Sequence, residues 1–268
     1  MVAQIFKTEM QRMQLIDFPI SIGSYFSFVD HIISLAIKKS YGYICIANVH
    51  MLIEFRNDPQ FAEVVKNADI ITPDGMPLIW GLSIIHGVKQ ERVAGMDLLP
   101  DLLQKMMTQK LSVYFYGGSP LLLNKSEILL KKKFPTLKLA GFFSPPFRDL
   151  TQAENADIID TINHSGANIV FIILGCPKQE KWMASMKGKI NSCLIGVGGA
   201  LPVMMGMHKR APSWMQNNGL EWFFRLYQEP RRLFKRYAYT NTLFLWLFMK
   251  EYLKVKIFKP LGFLRHTG

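Results

Sequence analysis

The residues best placed for chemistry in this 268-residue chain stand just after short apolar runs. Asp74 follows the run at 68–72 and precedes Gly75, in TPDGMP. A carboxylate there suits a general base that takes a proton from an attacking hydroxyl. Asp suits the N-cap of a following helix equally well, and the two roles are compatible. Asn48 and His50 follow the run at 43–47. His50 has the chemistry of a base, although a lone histidine more often serves packing or capping. Arg92, in RVAG, is suited either to a phosphate or to a surface ion pair. Residues 169–180, IVFIILGCPKQE, pass from six apolar residues, four of them β-branched, into Lys178, Gln179 and Glu180.

Two glycine turns offer a second kind of chemistry. FYGGSP presents Gly117 and Gly118, and GVGGA presents Gly198 and Gly199, each directly after an apolar run. Backbone N–H groups in such turns and at helix starts bind phosphate oxygens. Neither turn gives the dinucleotide fingerprint, because Leu201 holds the sixth position of the series that begins at Gly196. The chain has no Asp-x-Asp pair, no GxxxxGK[ST] loop and no clustered His and Cys, so neither metal nor cofactor is expected. A diphosphate leaving group would then be stabilised by arginines and helix ends.

These residues need a scaffold that brings the ends of the apolar runs to one edge. A short unbroken apolar run reads as a strand buried on both faces of a parallel sheet. Strands are predicted near 11–16, 43–47, 68–72, 113–116, 137–142, 169–174 and 193–197. Helices are predicted near 25–39, 96–109 and 151–164, and another starts at Pro177, a residue suited to a first helical turn. The alternation predicts a Rossmann-like, mostly parallel α/β sheet with helices on both faces. Ligands of such sheets sit outside the carboxyl ends of the strands. The pattern stops near Gly206, so 1–206 reads as the α/β core and 207–268 as a helical C-terminal appendage.

Composition narrows the setting. A hydrophobic content of 49% supports a sizeable core and opposes disorder. Cys45, Cys176 and Cys193 form no CxxC pair and lie in or beside predicted strands, as buried thiols of a reducing compartment do. The start, MVAQIFKTEMQRMQ, lacks the layout of a signal peptide. No apolar run approaches the ~20 residues that span a bilayer, and a cytoplasmic location is expected.

The net charge of +12 is uneven: from Met207 on, twelve Lys and Arg face three acids, a net of +9. Such asymmetry points to an anionic partner, either a membrane leaflet or nucleic acid. Arg225, Arg231, Arg232 and Arg236 interleave with Trp222, Phe223, Phe224, Phe234 and Tyr237, the pattern of an interfacial helix. The apolar run at 243–249 is too short to span a bilayer but long enough to dip into one.

GCPKQE, GVGGA, KRAPSW at 209–214, GLEWFFRL at 219–226 and EPRRLFKRY at 229–237 stand in the order and spacing of one family. DGMP at 74–77, RVAG at 92–95 and YFYGGSP at 114–120 complete the pattern. Over roughly 48–237 the chain resembles the WecG/TagA/CpsF family of bacterial glycosyltransferases. The resemblance implies a Rossmann-like domain with a C-terminal appendage that meets the membrane. It implies inverting, metal-independent transfer of a sugar from a UDP-linked donor to a polyprenyl-diphosphate-linked acceptor, in teichoic acid, common-antigen or exopolysaccharide synthesis. By motif it places the base at Asp74, a pocket asparagine at Asn48, an arginine at Arg92, a glutamine at Gln179 and appendage arginines at Arg225, Arg232 and Arg236.

Two positions depart from the family pattern. Ile46 stands where several members have threonine, and Pro202 where many have an aspartate. The donor therefore stays open among N-acetylmannosamine, its uronic acid, glucuronic acid and glucose. The expectation is a glycosyltransferase held peripherally at the inner face of the plasma membrane, with Asp74 and Arg92 catalytic. Asn48, Gly117, Gly118, Gln179, Gly198, Gly199, Arg225, Arg232 and Arg236 are expected to bind substrate. A nucleotide-dependent oxidoreductase is the alternative, favoured by the strand–helix order and opposed by the missing fingerprint. Only the basic tail favours a nucleic-acid partner, and none is expected; homo-oligomers stay open.

Overall fold

A computed structural model describes residues 10–258. The described residues open on an antiparallel hairpin, β1 (Arg12–Leu15) and β2 (Phe18–Ser21). A single strand at 11–16 was expected there. The turn residues Ile16 and Asp17 both take positive φ, 53° and 62°. Two-residue hairpin turns of that hand usually announce themselves as Asn-Gly, so Ile-Asp conceals this one.

Then follow α1 (Tyr25–Lys38), β3 (Tyr43–Ala47), α2 (Val49–Asn57), α3 (Pro59–Lys66), β4 (Ile70–Pro73), α4 (Met76–His86) and α5 (Gly95–Thr108). Next come β5 (Ser112–Gly117), α6 (Pro120–Lys133), β6 (Lys138–Phe143), α7 (Gln152–His164), β7 (Ile169–Ile173), α8 (Lys178–Met186) and β8 (Cys193–Gly196). The chain continues as α9 (Ala200–Met204), α10 (Ser213–Asn217), α11 (Glu221–Gln228) and the long α12 (Pro230–Phe258). The break between α2 and α3 is chemical: the Asp58 carboxylate accepts from the N–H groups of Gln60 and Phe61 at 2.9 and 3.1 Å, and Pro59 opens α3.

Six strands form one sheet in the order β4-β3-β8-β7-β5-β6, every neighbouring pair parallel. Helices cover both faces, as expected. Val170 and Ile172 of β7 enter one core cluster, while Ile169, Phe171 and Ile173 enter the other. Each fully buried side chain of this size contributes roughly 1.5–3 kcal/mol, which is why β7 carries no polar residue.

The C-terminal helix packs on α2 and α4. Phe244 and Leu247 are buried and join the core cluster of Tyr43 and Val170, whereas Leu245, Trp246 and Met249 are exposed. The run at 243–249 therefore does not dip into a bilayer as a unit. Its 3.6-residue period turns two of its members inward onto the sheet's helical layer. Among the described residues no helix is long and apolar enough to cross a membrane.

Candidate active site

A cleft of about 470 Å³ opens outside the carboxyl ends of β3, β4, β7 and β8, with α11 and α12 as its opposite wall. Asp74 leaves β4 into this cleft, its backbone N–H held by the Ala47 carbonyl at 2.8 Å. The N-cap of α4 is Gly75, with no side-chain cap hydrogen bond. Asp74 therefore does not cap the helix, and among the described residues nothing hydrogen-bonds its carboxyl group. Burial, and then the neighbouring Glu221 carboxylate, push its pKa up to about 7 against the opposing charges of Arg92 and Arg225. A carboxyl group poised near neutrality is the form in which a protein presents a general base.

Asn48 leaves β3 and caps α2, its Oδ1 accepting from the Met51 N–H at 3.2 Å. The rest of its amide remains for the cleft. Gln179 lies in the first turn of α8, where Oε1 accepts from the Gly175 N–H at 3.2 Å and Nε2 donates to Glu180 Oε1 at 2.7 Å. Pro177 stands one step before this helix, at its N-cap. Glu180 is fully buried, and desolvation raises its pKa to about 7.

The glycine turns behave differently from expectation. The Val197 and Gly198 N–H groups both donate to the Ile172 carbonyl, at 3.0 and 3.1 Å, so the Gly198 N–H is not available to a phosphate. The glycines of this turn, Gly199 of the cleft lining among them, also supply room. A Cβ on Gly196 would lie 2.8 Å from Gln179 Nε2, one on Gly198 3.2 Å from Gln179 Oε1, and one on Gly199 3.1 Å from Arg225 Nη2. Gly117 and Gly118 do not join the cleft lining. Gly117 ends β5 with φ of +104°, and a Cβ on it would lie 2.7 Å from the Ile173 carbonyl oxygen; Gly118 follows with φ of +77°, and a Cβ on it would lie 2.9 Å from the Leu122 side chain. Gly117 thus permits the close approach of β5 to β7.

The arginines divide into bound and unbound. Arg92 donates to Glu221 Oε2 at 2.8 Å, Asp97 Oδ2 at 3.2 Å and Gln216 Oε1 at 3.3 Å. Arg210 joins the same acceptors, Asp97 and Gln216. This half-buried network ties the loop between α4 and α5 to α10 and α11. Arg92 is thus engaged by carboxylates, and its effect on Asp74 is electrostatic. Arg232 donates to Glu229 at 2.8 Å. Arg225 and Arg236 line the cleft without an ion-pair partner among the described residues, Arg236 lying 5.2 Å from the Tyr237 ring centre.

His50 also lines the cleft, but burial, reinforced by the Arg236 charge, lowers its pKa to about 4 despite a contact with the Cys176 backbone. It is a neutral imidazole near pH 7 and a weaker base than Asp74. Asp97, Gln216, Glu221 and Thr240 were not singled out from sequence. Glu221 lies within the GLEW motif, but its partner Arg92 is 129 residues away and nothing local announces the pair. Ile46 and Pro202, the two departures from the family pattern, both line the cleft. Among the described residues no group of three or more His, Cys, Asp or Glu side chains is arranged to hold a metal ion.

Comparison with known proteins agrees with this geometry. The model of the Glycosyl transferase WecG/TagA/CpsF family matches residues 13–257. An N-acetylglucosaminyldiphosphoundecaprenol N-acetyl-beta-D-mannosaminyltransferase of Bacillus spizizenii is 31% identical over 208 residues, 77% of this chain and 79% of its own. The Bacillus subtilis protein of the same name is 28% identical over 247 residues, 90% of this chain and 92% of its own. The parallel sheet, the cleft at its carboxyl edge and the match along nearly the whole chain lead to one conclusion: the protein is a glycosyltransferase and belongs to the WecG/TagA/CpsF family.

Proposed function

We propose that the cleft moves N-acetylmannosamine from UDP to the N-acetylglucosamine of a polyprenyl-diphosphate-linked acceptor, with inversion at the anomeric carbon. The names of the two relatives support this donor sugar and this acceptor. The acceptor hydroxyl oxygen bonds to the anomeric carbon as the carbon–oxygen bond to UDP breaks on the opposite face. Asp74 takes the hydroxyl proton. UDP leaves with the electron pair, its growing charge offset by Arg225, Arg232 and Arg236. Arg92 holds Glu221, and thereby α11, against the core and keeps the Asp74 carboxyl from rising further. Asn48 and Gln179 orient the sugars, while Ile46 and Pro202 shape the donor end. The oxidoreductase alternative falls with the family assignment.

Residues from 207 on act as an appendage that completes the cleft and seats the enzyme on the inner leaflet. Exposed Phe223, Tyr227, Phe234, Leu245 and Trp246 stand among exposed Arg231, Arg232 and Lys235, as an interfacial surface requires.

The observation that carries the reading is the Asp74 carboxyl group, uncommitted to any hydrogen bond among the described residues and raised to about 7 in a cleft lined by Arg225 and Arg236. The test is transfer by the full-length protein to a short-chain polyprenyl-diphosphate N-acetylglucosamine, with individual UDP-sugars offered and products weighed by mass spectrometry. UDP-N-acetylmannosamine is expected to add one N-acetylhexosamine. Failure of every UDP-sugar to transfer refutes the reading.

A further inference from the structure

Glu180 occupies a position where an apolar side chain would pack. It is fully buried on α8 together with Met183 and Met186, which join the core cluster of Tyr43 and Val170. Among the described residues no cation pairs with its carboxyl group, and Oε2 has no hydrogen-bond partner. The Cys176 thiol, a weak donor, stands beside it. Burying a carboxyl group on these terms is costly, and such a residue in a core marks a site rather than packing. Its clearest partner is Gln179, whose Nε2 donates to Glu180 Oε1 at 2.7 Å.

Gln179 lines the cleft although it is only 5% exposed. An amide can present either end, and the donors and acceptors around it decide which. Oε1 faces the Gly175 N–H at 3.2 Å, a group that only donates, while Nε2 faces the Glu180 carboxyl oxygen, which accepts. Gly196 and Gly198 leave little room for another pose, since a Cβ on them would lie 2.8 and 3.2 Å from the amide. One N–H and one lone pair of Gln179 remain, in an orientation that Gly175 and Glu180 set together.

We infer that Glu180 is a positioning residue for the transfer reaction, its buried carboxyl group holding the Gln179 amide so that the second N–H is fixed for a sugar in the cleft. The inference rests on the proposed role of Gln179 in orienting the sugars. Without Glu180 the amide would hang on the single 3.2 Å bond to Gly175 and sample other rotamers. An acidic side chain in a first helical turn, facing its own backbone N–H as this one does, also favours the helix start. That role would act on α8 as a whole and not through Gln179.

The test is a double-mutant cycle in the full-length protein, with UDP-N-acetylmannosamine and the short-chain lipid-linked acceptor as substrates. Glu180→Met keeps the length of the side chain and removes the acceptor. It should lower kcat/KM about 3- to 10-fold, the usual effect of losing one hydrogen bond. The loss should fall on the same substrate and the same parameter, kcat or KM, as the loss in Gln179→Ala. Added to Gln179→Ala, Glu180→Met should cost less than about twofold more, because the residue it acts through is gone. Glu180→Gln, whose amide oxygen accepts in place of Oε1, should recover to within about threefold of the parent. Full turnover in Glu180→Met, a loss in the double variant equal to the product of the single losses, or no recovery in Glu180→Gln overturns the inference.

The amide itself gives a reading apart from activity. In proton–nitrogen correlation spectra the Gln179 side-chain signal is identified by its loss in Gln179→Ala. Its protons should exchange with water several-fold more slowly in the parent and in Glu180→Gln than in Glu180→Met. Exchange in the parent as fast as at surface glutamines overturns the hold, even if Glu180→Met proves too unstable to assay. Normal transfer by Gln179→Ala would refute the role given to Gln179 in orienting the sugars, while the exchange rates would still decide whether Glu180 holds the amide.

Discussion

Replacing Asp74 by Asn should stabilise the protein while abolishing its activity, and the size of the gain follows from the site. Burial and the Glu221 carboxylate raise the Asp74 pKa from 3.8 to about 7. A group whose folded pKa lies above its unfolded one binds more protons when folded, so its contribution to stability falls as pH rises. The penalty is absent below the unfolded value, grows from about pH 4 to about pH 7 and is constant above that. A shift of about three units corresponds to ~4 kcal/mol at about 1.4 kcal/mol per unit. Asp74 keeps partial contact with the cleft, and solvent screening there brings the expected figure to about 2–4 kcal/mol. Asn removes the charge without breaking a bond, because the carboxyl group makes none to the described residues.

At about 2–4 °C per kcal/mol, melting at pH 8 should rise by roughly 5–15 °C. The gain should fade on approach to pH 4, where the parent carboxyl is neutral in both states. Transfer should drop by at least about a hundredfold, the usual range for loss of a general base. A variant that melts lower than the parent at pH 8, or whose gain is independent of pH, refutes the burial argument. Retained turnover within tenfold refutes the base.

Three other outcomes are expected. Arg225→Ala should cost about a hundred- to a thousandfold in kcat, the scale of a lost preorganised contact to a developing charge; a loss under fivefold contradicts its place at the leaving group. Transfer should survive EDTA with no added divalent ion; loss on chelation and recovery with Mg²⁺ would contradict an arginine-based account. Leu247→Ala should destabilise by about 2–5 kcal/mol as a buried truncation, whereas Leu245→Ser with Trp246→Ser should leave melting nearly unchanged and weaken binding to anionic vesicles. The opposite pattern would mean that the inward and outward faces of α12 have been misassigned.

The scaffold was legible where one physical pattern acted alone. The run at 169–174 is apolar on both sides because β7 is covered on both faces, and no other element competes for that pattern. The hairpin was hidden because Ile16 and Asp17 take a turn geometry that their types do not advertise. Asp74 stood out in sequence, but only the Gly75 cap without a side-chain bond separates its two roles. The Arg92 network could not be read, since Glu221 and Gln216 reach it across more than 120 residues. The glycines of GVGGA show a further limit. Sequence marks a tight turn, but not whether the space serves a ligand or the Gln179 amide.

The most direct test of Asp74 as the base is the pH dependence of kcat/KM for transfer to the short-chain lipid-linked acceptor. That ratio reports the ionisation of the free enzyme. Because the carboxyl must be ionised to accept the proton, kcat/KM should climb about tenfold per pH unit on the acid side and level off near the Asp74 pKa of about 7. A profile that is flat from about pH 5 to pH 8, or that falls as pH rises through this window, contradicts a raised Asp74 carboxylate as the group that takes the proton.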